Sequence, residues 1–269
     1  MIKKIVSFSF LTFISLISFA PFYFLVMMST QYSEDIFKGN IYWPGSYLLE
    51  NLNTVLQSNF LQALWNSVVV SVSSTLLGVF ISALTGFALA KYNFKFKKAF
   101  FTFILLSMMI PSQIGLIGYI IEMRVFGLTG TLLPLIIVWM TNAFGVFWMY
   151  QYIKGSVHNE LIESARIDGC SEPSIFVRII IPVITPAIMT LSIVIFLWSW
   201  NNYLLPLVTI YKEELYTVPL VINRLGYTYR VDYGARLLAL LICILPLIVL
   251  FLIGSKNFIR GLTSGAVKG

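Results

Sequence analysis

The sequence predicts an all-α membrane protein with six transmembrane helices, and three observations carry that prediction. Of 269 residues, 58% are hydrophobic and only 11% are charged, against roughly 25% charged in a soluble domain. Six stretches contain no Asp, Glu, Lys or Arg over about the 20 residues that a spanning helix needs. None of the six shows the strict apolar/polar alternation of an outer-membrane strand.

The first stretch, Ile5–Met28, follows the basic pair Lys3 and Lys4, and Ser18-Phe19-Ala20 resembles a signal-peptidase site. Its apolar character nevertheless runs past that site, beyond the roughly 7–15 residues of a signal core, and Pro21 would follow the cut directly. An uncleaved first helix is expected. The other spans centre on Asn66–Ala90, Ala99–Ile121, Thr131–Ile153, Val183–Ile210 and Leu237–Ser255. With the N-terminus in the cytoplasm, inside segments hold twelve Lys and Arg and outside segments six, together the chain's eighteen. The excess of basic residues therefore places both termini in the cytoplasm, and the Lys91–Lys98 cluster is its strongest anchor. The expected division is 1–65 for the first helix and an external segment, 66–256 for a five-helix core with a cytoplasmic loop at 154–182, and 257–269 for a cytoplasmic tail.

Composition also excludes function classes. The net charge of +7 is spread beside apolar runs rather than gathered in a patch, so it reads as membrane orientation and not as nucleic-acid binding. One histidine, His158, and two cysteines, Cys170 and Cys243, supply neither a metal site nor a disulfide framework. No cofactor and no catalytic constellation is expected. No phosphate-binding G-x-x-x-x-G-K-[ST] loop occurs; Gly254-Ser255-Lys256 lacks the upstream glycine. A secondary transporter or channel for a small polar solute is the alternative reading. Ion coupling in such a transporter calls for ionisable groups within the spans, which the charge-free stretches lack.

The loop after the fourth span is the most informative segment. Asn159 is placed to cap a short helix with Glu160 in its first turn, ending at about Asp168, where Gly169 suits the left-handed position. Ser171 is placed to cap a second helix that opens with Glu172 and Pro173 and runs to Pro182, with Ile175, Phe176, Ile179 and Ile180 on one side. Such a hairpin can lie on lipid headgroups. Glu160, Glu163, Asp168 and Glu172 suit an anionic leaflet poorly and point to a protein partner.

These residues resemble a known family. Permeases of ATP-binding-cassette importers carry Glu-Ala-Ala, three residues, Gly, nine residues, then Ile-x-Leu-Pro. This chain has Glu163-Ser164-Ala165, Gly169 and Ile179-Ile180-Ile181-Pro182 at those spacings, with Ser164 and Ile181 as the departures. Ala165-Arg166-Ile167-Asp168-Gly169, Trp200-Asn201-Asn202-Tyr203, Asn66-Ser67, Met109-Ile110-Pro111 and the tail Arg260–Gly269 look like the carbohydrate-uptake branch, specifically the shorter permease of maltose-type systems. The resemblance implies a type I importer fold in the bacterial cytoplasmic membrane. It implies as partners a cytoplasmic ATPase dimer, a second homologous permease and an extracytoplasmic sugar-binding protein.

In that family the loop couples to the ATPase, which assigns this role to Glu163, Ser164, Ala165, Asp168, Gly169, Ile179, Ile181 and Pro182. The tail, with Gly261, Gly265 and Lys268, is implied to reach the ATPase as well. Within span five, Trp198, Trp200, Asn201, Asn202 and Tyr203 resemble a sugar path of amides and aromatic faces. Two readings of this group are open: substrate contact, or hydrogen bonds between helices. In related importers the partner permease often holds the sugar. Pro111, Ser112 and Gln113 break span three near mid-membrane; two readings are open, residues that line the path and a packed kink, and the kink is the expectation.

Overall fold

A computed structural model of the protein describes residues 2–226 and 231–266, with side chains over 4–226 and 231–252. It is all-helical over those residues apart from turns and loops. Four helices are by themselves long and apolar enough to cross a bilayer, and six spans result when each of two sharply bent helix pairs counts as one. The chain forms two compact units, Met1–Leu64 with Thr217–Pro246, and Trp65–Tyr216 with Leu247–Gly269.

In the first unit, helix Ile2–Ser29 presents Phe8, Phe10, Phe13 and Phe19 outward, each more than 60% exposed. Lipid is the solvent that makes such a surface stable. The carbonyls at the end of this helix are satisfied by the segment that follows it. Asn51 Nδ2 donates to Ser29 O at 2.9 Å and to Gln31 O at 3.0 Å, and Gln31 Nε2 donates to Trp43 O at 2.7 Å. Residues 217–246 group with this segment and not with the 66–256 core expected from sequence. Ser33 Oγ donates to Asp232 Oδ1 and accepts from Tyr233 N–H, while a Cβ at Gly234 would meet Gln31 O and Asn51. Those contacts join residues 183 to 203 positions apart in sequence and have no local signature.

The second unit is organised on helix Phe60–Lys91. Ser74, Gly78, Ser82 and Gly86 recur every fourth residue, which places them in one row on a helix. Opposite them lie helices Leu133–Met140 and Ala143–Ser156. A Cβ at Gly78 would stand 2.7 Å from Trp139 O, and one at Gly86 would stand 2.7 Å from Met149 Cβ and 2.8 Å from Tyr150 N. Ser82 Oγ lies against Gly145, and Ser74 Oγ donates to Leu135 O at 3.4 Å. The Ser82 hydroxyl has no hydrogen-bond partner, so its small size is what the seam uses. Small residues let backbones approach closely where lipid gives no hydrophobic drive between helices. Around this seam a core forms from Phe87, Met149, Ile153, Ile184, Leu191 and Ile195, all at most 3% exposed. Helix Thr185–Trp200 joins it through Trp148, whose Nε1 donates to Ala187 O at 3.2 Å.

Three of the six predicted spans are interrupted. The third is two helices, Lys97–Met109 and Ser112–Val125, meeting at 105°. Pro111 lacks an N–H and drives Ile110 out of the helical region, to φ −83° and ψ 121°. The bend exceeds the packed kink expected at this proline. The fourth is broken at Thr141 and restarts at Asn142, whose side chain accepts from Gly145 N–H at 2.8 Å. The fifth ends at Trp200 and resumes at Leu204–Thr209. The last helix, Tyr233–Ala266, extends beyond the span end expected at Ser255.

The seam generates a test. Gly86→Leu drives a side chain into the Met149–Tyr150 backbone, and overpacking of this kind costs about 1–3 kcal/mol. A melting point several degrees lower is expected for the detergent-solubilised chain. Gly118→Leu, where a Cβ meets nothing within 4 Å, is expected to melt with the native chain.

Candidate functional site

The loop predicted to couple with a partner is a hairpin of two short helices, and local chemistry sets each of its ends. Helix Asn159–Ile167 is capped by His158, one residue before the expected Asn159, and without a side-chain hydrogen bond. Asn159 is instead a first-turn residue whose Oδ1 accepts from Lys91 Nζ at 2.9 Å. At the other end Cys170 N–H donates to Ala165 O at 2.9 Å and Gly169 N–H to Arg166 O at 3.0 Å, the paired bonds of a Schellman termination. Gly169 sits at φ +78°, as that motif requires. Ser171 precedes the second helix, as expected, but its hydroxyl makes no capping bond. Residues 172–183 then continue as one helical stretch with a π-helical centre at Phe176–Ile180. Pro182 has no N–H for the α-helical ladder, and Ile181 N–H donates five residues back to Phe176 O.

The hairpin has two faces. Ile162, Ala165, Ile175, Phe176 and Ile180 are buried in the core around helix Phe60–Lys91. Glu163, Ser164, Asp168 and Gly169 are exposed, and a Cβ on Gly169 would meet nothing within 4 Å. Of the other motif residues, Ile179 and Ile181 are half-buried and Pro182 is exposed. The structure thus divides the motif: Ala165 packs inward, while Glu163, Ser164, Asp168 and Gly169 face out. Ile167 joins the outward group at 86% exposure. Sequence reasoning passed over it, although its position is legible: it falls outside the helical register of Ile162 and Ala165.

The end of helix Phe60–Lys91 latches both arms of the hairpin. Lys91 Nζ donates to Val157 O at 2.5 Å as well as to Asn159. Arg166 Nε pairs with Glu172 Oε1 at 2.7 Å, Tyr92 donates its hydroxyl to Glu172 Oε2, and the Arg166 guanidinium lies 5.7 Å from the Tyr92 ring centroid. Burial and the carboxylate raise the Tyr92 hydroxyl above its usual pKa and keep it a donor. Arg166 and Glu172 are therefore occupied within the chain. The latch joins residues 80 positions apart and left no signal in a single sequence.

A second constellation gathers at the three helix breaks. A cavity of about 840 Å³ is lined by Ser112 and Gln113 from the first break, Asn142 from the second, and Asn201, Asn202 and Tyr203 from the third. Trp139 and Trp198 face it as well, with ring centroids 6.1 Å apart and planes 27° apart. Of the sequence-predicted path residues, Trp198, Asn201, Asn202 and Tyr203 come together here. Trp200 does not: it is buried and stacked on Phe196. Tyr119, Trp139 and Asn142 were missed, because each break was read within its own span; for Ser112 and Gln113 a place on the path was the alternative to the kink. In the tail, Gly261 and Gly265 continue the helical backbone, and Lys268 lies outside the described residues. Among the described residues, no three His, Cys, Asp or Glu side chains gather as metal ligands.

An all-helical membrane fold carrying this hairpin is that of a transport permease. Residues 78–264 match the binding-protein-dependent transport system inner membrane component family, and the chain belongs to it. It is 32% identical over 262 residues to the arabinooligosaccharides transport system permease protein AraQ of Halalkalibacterium halodurans, spanning 96% of this chain and 94% of that one. It is 28% identical to the lactose transport system permease protein LacG of Rhizobium radiobacter, over 99% and 97% of the two chains. A crystal structure of a bacterial ABC transporter that imports the acidic polysaccharide alginate shares the fold, with a TM-score of 0.82, 20% identity and 96% of each chain covered. The protein is a multi-pass inner-membrane permease of a binding-protein-dependent system, and the ATPase of the system is a separate subunit.

The latch makes a measurable prediction. Exposed ion pairs contribute little to global stability, so Tyr92→Phe combined with Glu172→Gln leaves the melting point within about a degree of native. Amide exchange over 159–172 is expected to speed up several-fold, with the rest of the second unit unchanged.

Proposed function

We propose that this chain is one of two homologous permeases of an ATP-driven importer of sugars, oligosaccharides in particular. Both termini face the cytoplasm, and an extracytoplasmic binding protein delivers the sugar from the opposite side. The hairpin docks in a groove of a cytoplasmic ATPase dimer, with Glu163 against a basic group and Gly169 at the point of closest approach. Ile167 enters the groove as the apolar contact. The tail from residue 257 extends toward the same ATPase.

One observation carries this reading. The hairpin is locked inward by Ile162, Ala165, Ile175 and Ile180, yet holds outward an acid, a bare glycine and an isoleucine at 86% exposure. An isolated apolar side chain beside acids fits a protein groove better than an anionic lipid surface. The substrate class is supported by relatives that are permease proteins of arabinooligosaccharide and lactose transport systems, and by a cavity of aromatic and amide side chains.

Co-purification of the ATPase with the permease, together with sugar uptake, tests the docking. Glu163→Lys places like charges together, which costs several kcal/mol at an interface, and Ile167→Glu removes the apolar contact. Each is expected to release most of the ATPase while leaving membrane insertion intact. At Gly169, Asn tolerates the left-handed backbone but adds bulk. Loss of ATPase with Gly169→Asn identifies close approach by the partner; retention identifies a role in the turn alone. Native uptake and native ATPase recovery in both Glu163→Lys and Ile167→Glu would make the hairpin a lipid-facing element.

A further inference from the structure

We infer that the cavity where three spans break is a binding site for an uncharged oligosaccharide, so that this permease itself grips the sugar. The inference rests on the sugar-importer reading above and adds the site and the class of sugar.

Placement comes first. Irregular backbone at membrane depth is stable only where protein or water satisfies it, so breaks mark cavities. Here the three breaks at Pro111, Thr141–Asn142 and Asn201–Tyr203 open on one cavity, each contributing polar side chains to it. Its volume of about 840 Å³ lies within the roughly 300–1,000 Å³ of small-molecule sites.

Chemistry comes second. A sugar ring offers C–H groups on its faces and hydroxyls at its edge. The negative face of an aromatic ring attracts the first, and carboxamides, which both donate and accept, match the second. Trp198 is 42% exposed and is held by Trp139 in a stack and by Phe144 edge-on at 5.4 Å. Its orientation is therefore set before any ligand arrives. Around it stand the carboxamides of Gln113, Asn142, Asn201 and Asn202. Half of the fourteen lining residues carry a hydroxyl or carboxamide, set into a lining surface that is mostly apolar, the combination that a sugar with C–H faces and hydroxyl edges calls for.

Charge comes third. Among the described residues, no Lys, Arg, Asp or Glu lines the cavity; Glu122 and Arg124 lie further along helix Ser112–Val125, beyond the five residues that it contributes to the lining. A uronate carboxylate placed there would lose its hydration and gain no cation, a penalty of several kcal/mol. The site therefore selects neutral sugars.

The test uses the complete importer, with its own ATPase, partner permease and binding protein. Uptake of radiolabelled maltotriose, arabinotriose, lactose and diacetylchitobiose is measured beside trigalacturonate. The native importer is expected to take up at least one neutral saccharide and to leave trigalacturonate outside. Trp198→Ala and Asn201→Ala are expected to lower that uptake at saturating sugar at least tenfold, with the ATPase still bound to the membrane. Trp198→Phe, which keeps an aromatic face, is expected to retain at least half. If Trp198→Ala does not reach the membrane, Asn201→Ala and Gln113→Ala, both at exposed side chains, decide the outcome. Native uptake in these variants overturns the cavity as a sugar site while leaving the importer reading intact. Preferred uptake of trigalacturonate overturns the neutral class. A native importer that moves none of the five saccharides overturns the sugar reading itself.

Discussion

The close approach of helix Phe60–Lys91 to the backbone of residues 135–150 is the constraint on which the second unit depends. A membrane helix gains nothing from hiding an apolar face from lipid that is equally apolar, so contact area and fit must hold it. The row Ser74, Gly78, Ser82 and Gly86 supplies that fit by removing side chains at one-turn intervals. The cavity and the hairpin both adjoin this seam. At one end, Gly78 lies against Trp139 O, whose ring faces the cavity. At the other, past Gly86, the helix ends at Lys91 and Tyr92, which hold the hairpin.

Polar groups within the apolar mass follow the same logic. Backbone freed by a break has to find a partner, and at the second and third breaks an asparagine supplies one. Asn142 accepts from Gly145 N–H, Asn202 Oδ1 accepts from Leu205 N–H, and Asn201 Nδ2 donates to Leu197 O. The asparagines at the breaks therefore do two things: part of each carboxamide closes the helix end, and the same side chain borders the cavity. Asn201 and Asn202 make local bonds in place of the bonds between helices that the sequence offered as one reading, and both border the cavity.

Hydropathy alone located the apolar segments, because charge-free runs of 20 residues have few other solutions in water or lipid. The hairpin was legible to the residue at Gly169 and Ser171, since a left-handed glycine and the start of a helix are local events. The same locality misplaced the cap by one residue: Asn159 is drawn to Lys91, a tertiary partner, and His158 takes the end position. The bends were only partly visible. Pro111 announces a break, but its 105° angle depends on what the two halves pack against. Thr141 and the segment after Trp200 contain no proline at the break and were read through as continuous helix. The cavity was hidden for a related reason, since it exists only where three separately unremarkable interruptions are folded together.

The hairpin's second arm does not end in a flexible joint. Through Ile184, fully buried, it turns 80° into helix Thr185–Trp200. That helix has 16 residues, a rod of about 24 Å, and the Trp148–Ala187 hydrogen bond holds it near its hairpin end. Its far end is the Trp198–Tyr203 wall of the cavity. Under the docking proposed above, this geometry would make the helix a lever with its pivot close to the hairpin. From Ala187 to Trp198 the rod measures about 16 Å, so a tilt of about 5° about the Trp148–Ala187 bond would carry the tryptophan ledge through about 1.4 Å.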